Sequence, residues 1–168
     1  MNIVTKELIQ ELESKFNITV ELQRDRRLWM TINSNDLLSI TNYVKTMGFD
    51  HLSTISATDW LEENKFEITY HFWSYSKNSL LTIKTKINRD QPVIESINEY
   101  FGTNAEACER EIHEMFGIVF NGNPDQTDLF LEDWEGPPPF RKDFNWHKYV
   151  RENFYDVKNP REKIYFED

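Results

Sequence analysis

Glu109-Arg110-Glu111-Ile112-His113-Glu114-Met115-Phe116-Gly117-Ile118 is the stretch on which the reading of this chain turns. Ala105, Cys108, Ile112 and Met115 recur through it at helical spacing, so it forms the later turns of an amphipathic helix that opens after Gly102-Thr103-Asn104. Thr103 as N-cap with Glu106 three residues on is the pattern of a capping box. Upstream the chain has the periodicities of a folded domain. Downstream they stop.

Working back toward the N-terminus, Val4, Leu8, Leu12 and Phe16 define a first helix ending near Asn17. Ile18, Val20 and Leu22, then Leu28, Met30 and Ile32, alternate with polar residues on either side of Arg24-Asp25-Arg26, which predicts a β-hairpin. Asn33-Ser34-Asn35-Asp36 offers N-caps to a second helix marked by Leu37, Ile40, Val44 and Met47 and closed by Gly48 at C′. Three strands follow: Leu52 to Leu61; Phe66, Ile68, Tyr70 and Phe72; then Leu81, Ile83, Thr85 and Ile87. Turns at Glu62-Glu63-Asn64 and Ser76-Lys77-Asn78 make them an antiparallel meander. A short helix is expected from Ile94 to Phe101. The fold class is therefore α+β, with helices packed on a largely antiparallel sheet over residues 1–120 and a mostly irregular, extended segment over 121–168.

Five of the six prolines lie beyond residue 120, among Phe130, Trp134, Phe140, Phe144, Trp146, Tyr149, Phe154, Tyr155, Tyr165 and Phe166. Trp146, Tyr149, Val150 and Phe154 suggest a late amphipathic helix, and 160–168 is a charged end. Aromatics without domain-like periodicity mark a surface for a partner, with Pro137-Pro138-Pro139 as a stiff spacer and Arg141 as a fork for a carboxylate. Folding back over the chain's own sheet is the other reading of the same residues, and both stay open at this point.

The 168 residues carry a formal net charge of -10 and a single cysteine, Cys108. That charge, with no basic face, excludes a nucleic-acid binder, and no window has the roughly 18 apolar residues a membrane span requires. One cysteine cannot hold an iron-sulfur cluster or a structural zinc, and a reducing, cytoplasmic setting is expected. Glu109 and His113 at i, i+4 have the spacing of two metal ligands, but their order is not that of a metalloprotease helix and no further histidine completes a site. Helical charge pairs from Arg110 to Glu106 and Glu114 explain the same residues. Asp59 and His71 could form an acid-base pair or be ordinary sheet residues, and Cys108 on an apolar stripe reads as a buried, inert thiol. No catalytic, cofactor-binding or metal-binding set is complete.

Glu109-Arg110-Glu111-x-x-Glu114-x-Phe116-Gly117-Ile118-x-Phe120-x-Gly122-x-Pro124-Asp125, with Leu131-x-Asp133-Trp134-x-Gly136 and Arg141-Lys142-Asp143-Phe144, resembles the C-subunit family of proton-pumping NADH-quinone oxidoreductase, respiratory complex I. The resemblance runs over residues 35–146 and includes Leu52-Ser53-x-Ile55-x-Ala57-x-Asp59 and Phe66-Glu67-x-x-Tyr70-His71. Two positions depart from it: Asn123, where the family commonly carries histidine, and Asp128, where it carries a basic residue. The same subunit type occurs in energy-converting hydrogenases, formate hydrogenlyase-like complexes and dehydrogenases of reduced deazaflavin. The resemblance implies a non-redox, peripheral-arm subunit on the cytoplasmic face of the membrane, beside a large subunit with the quinone site or a nickel-iron centre and a small iron-sulfur subunit. Clusters and flavin or nickel-iron would belong to those partners. The expected interface is Glu109, Arg110, Glu111, Phe116, Gly117, Pro124, Trp134, Phe140, Arg141, Lys142, Asp143 and Phe144, with the helix charges and Arg141 and Asp143 anchoring by ion pairs. A free-standing enzyme using His71, His113 or His147 is the competing class.

Overall fold

A computed structural model describes residues 3–154 of the chain. Tyr155, Tyr165, Phe166 and the charged end at 160–168 lie outside the described residues. The order is α1 (Ile3–Phe16), β1 (Val20–Arg24), β2 (Arg27–Ile32), α2 (Leu37–Thr46), β3 (His51–Trp60), β4 (Lys65–Ser74), β5 (Ser79–Asn88), β6 (Val93–Glu95), α3 (Asn98–Phe101), α4 (Thr103–Phe116), β7 (Val119–Asn121) and α5 (Trp146–Asn153).

Five strands form one sheet in the order β1-β2-β5-β4-β3. Side-chain alternation sends Leu28, Met30, Leu81, Ile83, Phe66, Ile68, Tyr70 and Phe72 to one face, where they meet Leu8 and Leu12 of α1, Ile40 and Val44 of α2, and Ala105 and Ile112 of α4 in one apolar cluster. The opposite face is polar: Lys84 bridges Glu67 at 2.7 Å and sits 4.5 Å from the Trp29 ring centroid. The α+β reading therefore holds, with helices packed on a mainly antiparallel sheet.

Local differences have local causes. The hairpin closes through Asp25-Arg26, since Arg24 opposes Arg27, and Arg26 takes the left-handed φ of 66°. The strand expected from Ile18 begins at Val20, whose amide is taken by the Glu13 carboxylate of α1 at 3.0 Å. Thr103 is not the N-cap: Gly102, at φ 58° and ψ -142°, occupies that position and no side-chain capping bond forms. The helix expected over Ile94–Phe101 is instead strand β6 followed by the single turn α3, because Ile94 and Phe120 are buried as partners in a short parallel ladder with β7. Pairing of β2 with β5 is also parallel, with Arg27 opposite Leu80 and Ile32 opposite Thr85. Among the described residues no helix is long and apolar enough to cross a membrane.

Candidate functional site

Helix α4 runs along β3, and three of its charged side chains, Glu109, Arg110 and Glu114, hold the chain that follows. Glu109 is fully buried. Its carboxylate accepts from Ser96 Oγ at 2.6 Å, the Ile97 amide at 2.9 Å and Asn123 Nδ2 at 2.9 Å, so it joins α4 to the segments flanking β6 and β7. A surface ion pair from Glu109 is thereby excluded. Asn123, one of the two departures from the family pattern, supplies a neutral donor to that buried carboxylate, and its own Oδ1 accepts the Asp125 amide at 3.0 Å.

Arg110 and Glu114 do not pair with each other, nor Arg110 with Glu106, as helical spacing suggested. The Arg110 guanidinium donates to the Thr127 carbonyl at 2.5 Å, to the Asp128 carbonyl and to Asp125 Oδ2 at 3.0 Å. Glu114 takes the opposite polarity of the same loop. Its carboxylate accepts from the amides of Leu129 at 3.2 Å, Phe130 at 3.1 Å and Leu131 at 2.5 Å. A loop without secondary structure thus has its carbonyls and its amides satisfied by two side chains one turn apart on α4, which answers the pairing demand of its backbone. The Asp125 carboxyl is held below its usual value, first by the Thr127 amide and hydroxyl and then by Arg110.

A second set of contacts closes further along. The C-terminal carbonyls of α4, left open by helix geometry, accept from the Phe140 amide (Met115 carbonyl, 3.0 Å) and from Arg141 Nε (Phe116 carbonyl, 2.8 Å). The Arg141 guanidinium then lies 5.3 Å from the Phe66 ring centroid. Asp59, buried at the end of β3, accepts Arg89 at 2.9 and 3.1 Å through a two-point contact and the Lys142 amide at 2.9 Å. Arg89 also reaches Asp143 at 2.5 Å, and this contact is the main cause that holds the Asp143 carboxyl below its usual value. Arg141 and Asp143, expected to meet a partner's charges, are engaged within the chain. These contacts run across residue 120, where the sequence suggested a division.

Gly117 sits where both sets meet. Its φ of 73° is left-handed, and a Cβ there would come within 3.1 Å of Pro138 Cγ and 3.2 Å of Arg141 Nη2. Gly117→Ala is expected to cost about 1–2 kcal/mol, the order of a left-handed residue with a side chain, and to lower the thermal midpoint. An unchanged midpoint would contradict this placement.

The other expected residues separate into two groups. Phe116 is buried between Phe66 and Phe140 at 5.9 and 5.7 Å in edge-to-face contacts. Trp134, Phe144 and Tyr149 form a small aromatic cluster closed by a bond from Trp134 Nε1 to the Pro137 carbonyl at 3.0 Å. Glu111, Pro124, Lys142 and Phe140 face outward, Phe140 with 58% of its surface exposed. Arg89, Ser96 and Gln126, whose Oε1 accepts the Phe120 amide at 3.0 Å, are not singled out by the sequence. The signal for Arg89 is a charged residue just past an apolar strand, on the same sheet end as Asp59.

Each candidate for independent chemistry is engaged separately. His71 contacts Thr82 Oγ1 at 3.3 Å and titrates below its usual value through burial and then Lys84, whereas Asp59 belongs to the Arg89 cluster, so no acid-base pair forms. His113 Nδ1 lies 2.8 Å from the Ile118 carbonyl at the end of α4. Cys108 is half-buried rather than buried. Among the described residues no group of three His, Cys, Asp or Glu side chains is arranged to hold a metal ion.

The Glu109 carboxyl is pushed above the ordinary glutamate value by burial, against the pull of its three donors. Because the folded value exceeds the unfolded one, this group favours folding most below the unfolded pKa of about 4.3, and that contribution is lost as pH rises through the folded value. Glu109→Gln removes the titration. The variant's stability relative to the parent should therefore increase between about pH 4 and 7, read from denaturant midpoints at each pH, and a difference independent of pH would refute it.

Residues 30–150 match the model of the respiratory-chain NADH dehydrogenase 30 kDa subunit. The chain belongs to that family. The C-subunit of F420H2 dehydrogenase from Methanosarcina mazei is 31% identical over 142 residues, which cover 82% of this chain and 89% of that one. The C-subunit of NADH-quinone oxidoreductase from Trichlorobacter lovleyi is 32% identical over 146 residues, covering 83% and 89%. Among solved structures, a chain of the membrane-bound sulfane sulfur reductase, an archaeal respiratory membrane complex, superposes with a TM-score of 0.84 at 26% identity over 93% of this chain and 94% of its own. The first two relatives are named as subunits and the third is a chain of a respiratory membrane complex, and the motif that carried the resemblance is the one that builds the two sets of contacts on α4.

Proposed function

We propose that this chain is a non-redox docking subunit in the peripheral arm of a complex I-like, membrane-associated oxidoreductase, and that it binds no cofactor of its own. The observation that supports this reading is the use of α4: Arg110 and Glu114 fix the 125–131 loop from within, while Leu129, Phe130, Phe140 and Trp146 are left on the outside. Exposed aromatics on an ordered backbone suit an interface, since little conformational freedom remains to be lost on docking. The partners we assign are the large subunit bearing the quinone site or a nickel-iron centre and the small iron-sulfur subunit, at the cytoplasmic face.

Relatives of nearly equal identity have names that differ in the electron donor, F420H2 in one and NADH in the other. We take the donor to be chosen by other subunits, with this chain supplying what such complexes share. Native electrophoresis of detergent-solubilised membranes, with this chain tagged, tests the assignment. Migration with a large oxidoreductase subunit is expected. An intact oxidoreductase complex lacking the chain, with the chain running alone, would defeat it.

A further inference from the structure

The outward side of the 128–135 loop has a charge pattern that specifies its partner more narrowly. From Glu111 to Phe140 the sequence contains seven carboxylates and no lysine or arginine. Glu114 and Asp125 are consumed by the loop itself. Asp128, Glu132, Asp133 and Glu135 are exposed, and none of the four side chains has an ion-pair partner among the described residues. Between them Phe130 exposes 64% of its surface and Leu129 39%, while Leu131 packs against the core.

The three amide bonds to Glu114 fix the backbone at Leu129, Phe130 and Leu131, and the Phe130 ring stands on the solvent side of that fixed backbone. We infer that residues 128–135 form a docking strip for an apolar hollow on another subunit, rimmed by lysine and arginine, with Phe130 as the inserted anchor and Asp128, Glu132, Asp133 and Glu135 meeting the basic rim. This rests on the docking reading above and adds the chemistry of the partner surface. Charge selects the occupant. A second copy of the chain would bring the same four carboxylates and be repelled, and anionic lipid or nucleic acid is repelled for the same reason. An aromatic anchor inside a charged rim also divides the energetics, because central aromatics dominate affinity while rim charges set association rate and salt dependence.

The test uses the intact complex. Phe130→p-benzoylphenylalanine, irradiated in purified complex, should crosslink to another subunit at a peptide carrying lysine or arginine. Glu132→Lys combined with Glu135→Lys lies on exposed side chains and should leave folding unchanged. It should slow incorporation into chain-depleted complex about tenfold at low salt, with the difference shrinking as salt is raised. Phe130→Ala should weaken incorporation about thirtyfold at all salt concentrations. A crosslink within this chain, a crosslinked peptide without basic residues, or a charge-reversed chain incorporating like the parent would each overturn the strip while leaving the docking reading in place. Absence of the parent chain from the complex would overturn both.

Discussion

Arg89→Ala should destabilise the chain by about 3–5 kcal/mol, the cost typical of removing one partner from a buried ion pair. Arg89 and Asp59 are both buried, at 9% and 1% side-chain exposure, and the substitution strips Asp59 of the cation that faces it while Asp143 loses its contact as well. Desolvation decides the size of the effect: the pair itself adds little over an apolar replacement, but an unpaired carboxylate in that place is expensive. Arg89→Met with Asp59→Asn should therefore lose less than the sum of the two single variants. Urea midpoints for the four chains measure this, and additive losses would show that the two groups do not act as a pair. Acid has a related effect. Asp143 titrates below its usual value, so its contribution is present above the unfolded pKa of about 3.9 and is lost as pH falls through the lower folded value.

Glu114→Ala should act locally, and this gives the second large effect. Three amides lose a charged acceptor at once, and hydrogen bonds to a charged group are each worth about 1.5–3 kcal/mol. Allowing for non-additivity, about 3 kcal/mol of local opening energy should disappear, equivalent to about a 150-fold faster amide exchange at Leu129, Phe130 and Leu131. Amides of β4 and β5 should keep their protection. If exchange accelerates equally through the sheet, the loop is part of the global folding unit and not a segment tied down by one helix.

The strands and helices were legible where a local period recorded burial. Phe66, Ile68, Tyr70 and Phe72 alternate because one face of β4 lies under the helices, and Leu37, Ile40 and Val44 mark the buried stripe of α2. The parallel pairings were not legible, because nothing in Arg27–Ile32 or Val93–Glu95 records which distant strand lies beside it. The same limit governs the site. The helical pattern places Glu109, Arg110 and Glu114 correctly on α4, but i, i+4 spacing suggests that they pair with each other or with a partner's charges. Their actual partners include backbone groups of residues 97 and 127–131, which have no side-chain signature. Arg141 and Asp143 likewise look outward-facing in the sequence because the Phe116 carbonyl and Arg89, their real counterparts, are distant along the chain.

The parallel pairing of β2 with β5 also dictates an order of events during synthesis. β2 leaves the ribosome long before β5 exists, and it has only the β1 hairpin to pair with until Leu80 and its neighbours emerge. The Asp59–Arg89 site is complete only after β5 has ended, and Asp143 arrives later still. A nascent chain truncated before residue 143 would therefore carry a formed sheet with an open clasp. Residues 125–143 can be fixed only by parts of the chain made before them, the end of β3, Arg89 and α4, so this segment is the last to meet its partners.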